Sequence, residues 1–440
     1  MKKLYTNNLL YFALFGVIVL FVLSFIFPFL HGLSWIALVV VLVFLLLDIL
    51  ILFGAKTGIK ATRITPEKLS NGDENPINIS ILNYYTFRIK AKIIDEIPFQ
   101  FQVRNSEIIR SIKPNSSDEI VYHLRPTERG EYYFGALNVY VNSPLGIVSR
   151  RFTFDKDKMT PTYPSYIQLR KYELIAFSNN LFQYGIKKIR RIGHTMEFEQ
   201  IKEYVQGDDI RTLNWKATAK KNALMVNQFQ DEKSQSVYMA IDKGRVMKMP
   251  FNKLSLLDYA INATLVLSNI ILKKQDKAGM FTFSKKIENR VVAERRSSQM
   301  QQVLENLYNV KTDFFESDYS RLYVDIKKNI TQRSLIILYT NFETLDGLHR
   351  QLPYLKGIAK SHLLVVVFFQ NTELNELIHK KTEKVQEIYD KVIAEKFAFE
   401  KRLIVSELKK YGIHSVLTEP ENLTIDTINK YLEIKARGIL

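Results

Sequence analysis

The chain reads as a multidomain protein: two membrane-spanning helices, a small antiparallel β-sandwich, and a doubly wound α/β domain. Three observations carry this. Two long apolar runs open the chain. Short period-two runs separated by turn residues come next, and from about residue 233 apolar strand-like runs alternate with helical patterns. The expected boundaries are a tail at 1–8, a helical hairpin at 9–53, a β-sandwich at 54–158, a basic connector at 159–232 and the α/β domain at 233–440.

With 440 residues, 47% of them hydrophobic, the chain is long enough for two or three domains with substantial cores. It has no cysteine, which excludes disulfides, thiolate catalysis and cysteine-ligated zinc. The net charge of +17 suits nucleic acid, an anionic membrane surface or an acidic protein partner.

The hairpin comes first. Leu9 to Leu30 carries no charge, and Leu33 to Phe53 carries only Asp48. Each is about the length that a membrane-spanning helix needs. His31-Gly32 is too short a connection to hold a folded domain. The first run is too long for a signal peptide and lacks a small-residue cleavage site. Lys2 and Lys3 precede the first run, while Lys56, Lys60 and Arg63 follow the second. The positive-inside rule therefore predicts a two-pass protein of the cytoplasmic (inner) membrane, with both termini and the soluble domains in the cytoplasm. Asp48 is expected to reach toward water or Lys56, near the inner end of its helix.

Ile77–Ile81, Arg88–Ile94, Glu119–Leu124 and Leu137–Val141 alternate with period two. Asn71-Gly72-Asp73, Lys113-Pro114-Asn115, Arg129-Gly130-Glu131 and Ser143–Gly146 supply the turns. About seven strands at this spacing predict an immunoglobulin-like sandwich, acting as a platform.

Arg150 to Lys221 holds fifteen basic and eight acidic residues, and Lys187, Lys188, Arg190 and Arg191 form the densest patch. Anionic headgroups, an acidic partner and a plain solvated face all remain open for it. Nucleic acid is disfavoured, because the aromatic residues of a stacking platform are missing. The stretch Gly193 to Glu232 stands apart, with Gly207, Asp208, Asp209, Arg211, Trp215 and Lys216 at its centre. Gly207 suits a turn and the two aspartates can accept its backbone N–H groups. Arg211 is close enough to pair with one of them, and Trp215 would be a buried apolar anchor. The stretch is either a clasp between domains or a docking face.

The third domain alternates Ser236–Asp242, a helix over Leu254–Lys274, Ala278–Phe283, and a partner strand over Ile287–Ala293. A helix capped by Ser297, a helix over Asp318–Ile330, and the continuous apolar strands Leu335–Tyr339 and Leu363–Phe369 follow. Thr372 to Tyr411 reads as one long helix or two. In such a sheet ligands sit at the strands' carboxyl ends, which points to Asp242–Arg245, Ser284 and Thr340–Glu343. Neither a GxxxxGK[ST] nor a GxGxxG loop is present, so no nucleotide cofactor is expected. HExxH and GxSxG are absent too, and a hydrolase would have to rest on His194 near Glu197 and Glu199.

The series Gly193-His194, Glu197-Phe198-Glu199, Glu203-Tyr204, Gly207–Arg211, Asn214–Lys220 and Leu224 resembles the signature of domain-of-unknown-function family 58. The resemblance implies a bacterial protein with a membrane hairpin, a β-sandwich and a C-terminal von Willebrand factor A-like domain. It also implies a non-enzymatic interaction or scaffold role beside a MoxR-type AAA+ ATPase, in the assembly or maturation of other proteins. Domains of the von Willebrand A type often hold Mg²⁺ on D-x-S-x-S, a distant Thr and a later Asp. Here Asp242 matches, Gly244 and Val246 replace the serines, and Asn341 takes the later position, with Thr312 or Ser284 as substitutes. Asp242 is thus a weak metal candidate in a degenerate site, and a metal-free site is expected. The alternatives are a lipid- or nucleic-acid-binding module through the basic connector, and a hydrolase.

Overall fold

The computed structural model describes residues 4–55, 57–104, 106–169, 172, 197–206, 208, 210–230, 234–379 and 384–439. Two compact units result, Met1–Tyr163 and Pro164–Leu440.

The first unit starts with a short strand, β1 (Leu4–Thr6), followed by helices α1 (Asn8–Ile26) and α2 (His31–Gly54). Both helices are long and apolar enough to cross a membrane. Their large side chains face outward: Phe12, Phe25 and Ile36 are 72%, 92% and 62% exposed. Lipid solvates such a surface and water does not, so the hairpin associates this chain with a membrane. A third helix long and apolar enough by the same measure, Leu256–Lys273, has a lower mean hydropathy, 1.3 against 2.8 and 3.4, and lies 72% buried inside the second unit. Its apolar character serves a core.

Ten more strands complete the first unit. They are β2 (Ile59–Ile64), β3 (Leu69–Ser70), β4 (Asn75–Asn83), β5 (Ile89–Asp95), β6 (Glu107–Ile112), β7 (Ser117–Leu124), β8 (Gly130–Phe134), β9 (Leu137–Asn142), β10 (Val148–Phe154) and β11 (Lys158–Tyr163). Three sheets form, in the orders β1-β10-β9-β5-β6, β2-β4-β7 and β3-β11-β8. Alternation does the work: Ile77, Ile79 and Ile81 of β4, and Ile89, Ala91 and Ile93 of β5, are all buried while their neighbours face out. Leu52 of α2 joins that core, so the base of the hairpin is part of the β-rich unit.

Asp48 corrects the expectation of an acid reaching toward water or Lys56. It is fully buried, and its Oδ2 accepts hydrogen bonds from Ser143 Oγ at 2.5 Å and from the backbone N–H of Ile147 and Val148 at 3.1 Å each. The 24 residues of α2 span about 36 Å against about 30 Å of hydrocarbon. The helix is thus long enough to extend past the hydrocarbon, and the β9–β10 turn closes over Asp48 nearly two turns before its C-terminal end. Arg150 donates to the carbonyls of Leu52 and Ala55, at 2.9 Å each, and fastens the same end of the helix.

The second unit opens with an antiparallel ribbon of β12 (Glu197–Glu203) and β13 (Met225–Gln230), joined through the short helix α3 (Trp215–Lys221). Strand β14 (Ser236–Asp242) comes next, and β15 (Pro250–Phe251) with β16 (Leu254–Ser255) forms a minimal ribbon. Helix α4 (Leu256–Lys273) is capped by Ser255, whose hydroxyl accepts from the Asp258 N–H in a capping box. Then come β17 (Lys277–Phe283), β18 (Ile287–Glu294), α5 (Gln299–Tyr308), α6 (Tyr319–Asn329), β19 (Leu335–Tyr339), α7 (Leu345–Ser361) and β20 (Leu363–Phe369). Helices α8 (Thr372–His379) and α9 (Val385–Lys410), β21 (His414–Thr418) and α10 (Leu423–Arg437) complete the unit.

Several boundaries shift by a residue or two from the sequence reading, and two of the shifts fall at helix starts. The helix placed from Leu254 starts at Leu256, because Leu254 and Ser255 pair as a strand and Ser255 caps. The cap expected at Ser297 falls at Ser298. The stretch from Thr372 to Tyr411 resolves into two helices.

The six-stranded sheet runs β18-β17-β14-β19-β20-β21, parallel except for β18. Its two faces bury two cores. Val237, Met239 and Ile241 of β14 point to one, with α4, α5 and α10. Tyr238 and Ala240 point to the other, with α6, α7 and α9. The chain leaves β14 toward β17 on one side and returns to β19 on the other, so a crevice opens beyond the carboxyl end of β14, where ligands of open α/β sheets bind. Asp242 is the last residue of that strand.

Candidate functional site

Two places gather the residues that the sequence singles out. The first is the ribbon and helix around Gly193–Glu232. Asn214 caps α3, its side chain accepting from Ala217 N–H at 3.0 Å while its amide donates to Asn227 on β13 at 2.8 Å. Thr218 accepts from Met225 N–H at 2.9 Å. These bonds tie the helix to the ribbon. Asp208 accepts from the Val205 N–H at 3.0 Å, as a turn carboxylate should, and from Lys202 Nζ at 2.9 Å. The Val205 bond, aided by Lys202, holds its pKa below the usual aspartate range. Gly207 and Asp209 lie outside the described residues, as does the side chain of Arg211. So do Lys187, Lys188, Arg190, Arg191 and His194.

Trp215 is not the buried anchor that its size suggests. It sits on the first turn of α3 and is 69% exposed. The caps and β-ribbon bonds that hold this element are polar and need no indole. Ile210, Val205, Leu224 and Ile201 are also exposed, at 68%, 62%, 48% and 40%, and Lys216 lies on the surface. One short element thus presents five large apolar side chains to its surroundings.

The second place is the carboxyl end of β14. Asp242 is buried, and both its oxygens are occupied. Oδ1 accepts from the Gly244 N–H at 2.8 Å and from the Ser317 hydroxyl. Oδ2 accepts from Thr340 Oγ1 at 2.7 Å, with Tyr319 OH at 3.4 Å. Tyr319 and Thr340 hydroxyls lie 2.6 Å apart. Burial raises the pKa of Asp242 above the ordinary aspartate value, the four donors offsetting only part of that rise. Burial and the neighbouring Asp242 push the Tyr319 hydroxyl far up, so it stays a donor.

Gly244 explains the unusual spacing. A Cβ there would come within 2.3 Å of Ser317 Oγ and 3.0 Å of Asp242 Oδ1. Ser317, from the loop before α6, occupies the space that a side chain at 244 would fill. The substitutes considered from sequence are therefore corrected: neither Thr312 nor Ser284 is bonded to Asp242, and Ser284 donates to Asp313 instead, at 2.6 Å. Lys243 also turns away from the crevice, pairing with Glu288 at 2.6 Å and Asp313 at 3.0 Å. Burial would lower its pKa, but those two partners outweigh it and hold the lysine above its usual range. Asn341 accepts from Lys401 Nζ at 2.8 Å.

A hard divalent cation takes several oxygen ligands. The residues here do not fit one: a single carboxylate is filled by its own hydroxyl and N–H donors, and the oxygen of Asn341 is taken by an ammonium. Among the described residues no cluster of three or more His, Asp or Glu forms elsewhere. The crevice itself is a polar cavity of about 160 Å³ with Arg245, Glu316, Glu343 and Arg350 on its walls. Ser317, Tyr319 and Arg350 were missed from sequence. The first two lie outside any strand end, and only the loop after α5 and the first turn of α6 bring them over β14.

Residues 200–380 match the family model described as "Protein of unknown function DUF58". The span includes most of the ribbon element and the whole Asp242 crevice. The chain is similar to "Uncharacterized protein YeaD" of Bacillus subtilis (strain 168), 21% identical over 201 residues, covering 44% of this chain and 50% of that one. It thus spans about half the length of that relative. Among solved structures it is similar to the ASH / PapD-like domain of human CEP192 (PapD-like domain 7), at 14% identity, TM-score 0.20, and coverage of 25% of this chain and 87% of that chain. The structural-genomics target SoR45 is similar at 16% identity and TM-score 0.18, over 24% of this chain and 89% of that one. Likenesses at these scores carry no argument.

Proposed function

Because the chain belongs, through residues 200–380, to the DUF58 family of proteins of unknown function, we propose that it is a membrane-anchored, non-enzymatic interaction protein. Its second unit would recruit a protein partner, and the ribbon-and-α3 element is the docking face. One observation carries this reading. Ile201, Val205, Ile210, Trp215 and Leu224 are exposed on an element whose own fold is secured by polar bonds. Exposed apolar side chains grouped with charge mark interaction surfaces, and tryptophan is a favoured anchor in them. The family resemblance supplies the partner class, a MoxR-type AAA+ ATPase, and the role, assembly or maturation of other proteins.

The strand order with an antiparallel β18, and the carboxylate closing β14, favour the von Willebrand A-like reading of the second unit. The three sheets of the first unit favour the sandwich reading. The charge flanking the hairpin favours a cytoplasmic placement of the soluble units at the inner membrane.

Capture of the full chain from membranes in mild detergent, followed by mass spectrometry, tests the proposal. The expected result is an enriched AAA+ ATPase that is lost in Trp215→Ala and Ile210→Asp while the melting temperature holds. No enriched ATPase would refute the partner. An ATPase retained at full strength by both variants would refute the docking face.

A further inference from the structure

Beside the Asp242 crevice a second cavity, of about 300 Å³, lies between the ends of β19 and β20 and helix α9. This is the size at which small-molecule pockets begin. Phe251, Leu256, Phe369, Leu374 and Phe397 line it with apolar surface, and its polar lining is Lys401 and Asn341 together with Glu343, Gln370 and Asn371. Lys401 reaches in from α9 and donates from Nζ to Asn341 Oδ1 at 2.8 Å and to the Phe342 carbonyl. An ammonium has three donors, so one is left without a hydrogen-bond acceptor, and the Phe368 ring centroid lies 5.7 Å from Nζ. Among the described residues no carboxylate comes within ion-pair distance of it. Glu343, on the same rim, acts on it only through its field. Burial of the ammonium brings its pKa down to about 8, as expected for a cation lacking a counter-charge. Because Asn341 spends its oxygen on Lys401, its amide N–H donors remain available.

We propose that this cavity binds a medium-chain aliphatic carboxylate, its tail against Phe251, Leu256, Phe369 and Phe397 and its carboxylate on Lys401 and Asn341. One buried cation and one amide match the charge and the two oxygens of a carboxylate. A phosphate would bring more charge than they balance. The site is separate from the ribbon-and-α3 face and does not rest on the docking role.

Octanoate is the probe and octan-1-ol the uncharged control, with the full chain held in lipid nanodiscs. The readout is acetylation of Lys401 at pH 8, followed by peptide mass spectrometry, together with saturation of a ¹³C-carboxyl octanoate signal. Octanoate is expected to saturate and to slow Lys401 acetylation at least tenfold, while octan-1-ol leaves it unchanged. Leu374→Trp, which fills the cavity and spares the lysine, should weaken octanoate binding at least tenfold, and Lys401→Gln should do the same. Binding should also weaken as pH rises above about 8, where the lysine loses its proton. Equal protection by octan-1-ol, no protection by octanoate, or binding unchanged in Leu374→Trp would each overturn the proposal. The protection arm uses the unaltered protein, so it stands even if a variant misfolds.

Discussion

Replacing Asp48 with alanine should open the β9–β10 turn. The carboxylate is the acceptor for two buried backbone N–H groups, of Ile147 and Val148, and for the Ser143 hydroxyl. An orphaned buried donor costs about 1–3 kcal/mol, so two backbone groups alone amount to about 2–6 kcal/mol. Removing a buried charge relieves part of that, which leaves about 2–4 kcal/mol. At 1.4 kcal/mol per factor of ten, amide exchange at 147 and 148 should quicken by about 30- to 700-fold. Hydrogen–deuterium exchange of the full chain in detergent, read by mass spectrometry on peptides covering 143–150, measures it. Asp48→Asn keeps one acceptor oxygen and should fall between the two. Ser143→Ala keeps both backbone bonds and should cost only about 1 kcal/mol. If the two amides exchange equally fast in Asp48→Ala and in the unaltered protein, Asp48 does not hold this turn and the account of the hairpin's base is wrong.

Three further outcomes follow from the second unit. Asp242 has a raised pKa, so between the ordinary aspartate value and its own the folded state binds more protons than the unfolded one. Stability from this group therefore falls as pH rises through that window, and the melting temperature of the unaltered protein should gain on that of Asp242→Asn as the solution is acidified. Lys401 has the opposite sign. With a folded pKa of about 8 against about 10.4 unfolded, the unfolded state binds more protons between these values. The unaltered protein should thus gain on Lys401→Met as pH rises from about 8 to about 10, and a flat difference across that range would contradict the buried-ammonium reading. Finally, Trp215→Ala removes an exposed side chain and should shift stability by no more than about 0.5 kcal/mol in thermal melts.

Periodicity made most of the architecture legible. The paired apolar runs, the alternation of Ile77, Ile79 and Ile81, and the continuous Leu363–Phe369 all became the elements expected of them. Each is a local pattern, and the hydrophobic effect acts on it whatever its neighbours are. The second unit's site was half legible: strand-end reasoning reached Asp242 and Thr340–Glu343, since the carboxyl end of a parallel strand is set by the strand itself. It could not reach Ser317 or Tyr319, which touch Asp242 across 75 and 77 positions of chain.

The sequence by itself determined which segments are apolar, where strands and helices run, and that the chain belongs with a membrane. Tertiary structure alone decided what the polar residues do. Asp48 could have faced water but meets a turn nearly a hundred residues on. Trp215 looked like core and lies on the surface, and Lys401, which no sequence pattern singled out, lines a cavity. Apolar burial is non-directional and follows composition, whereas a hydrogen bond needs two named atoms within about 3 Å, and long-range folding alone brings those together.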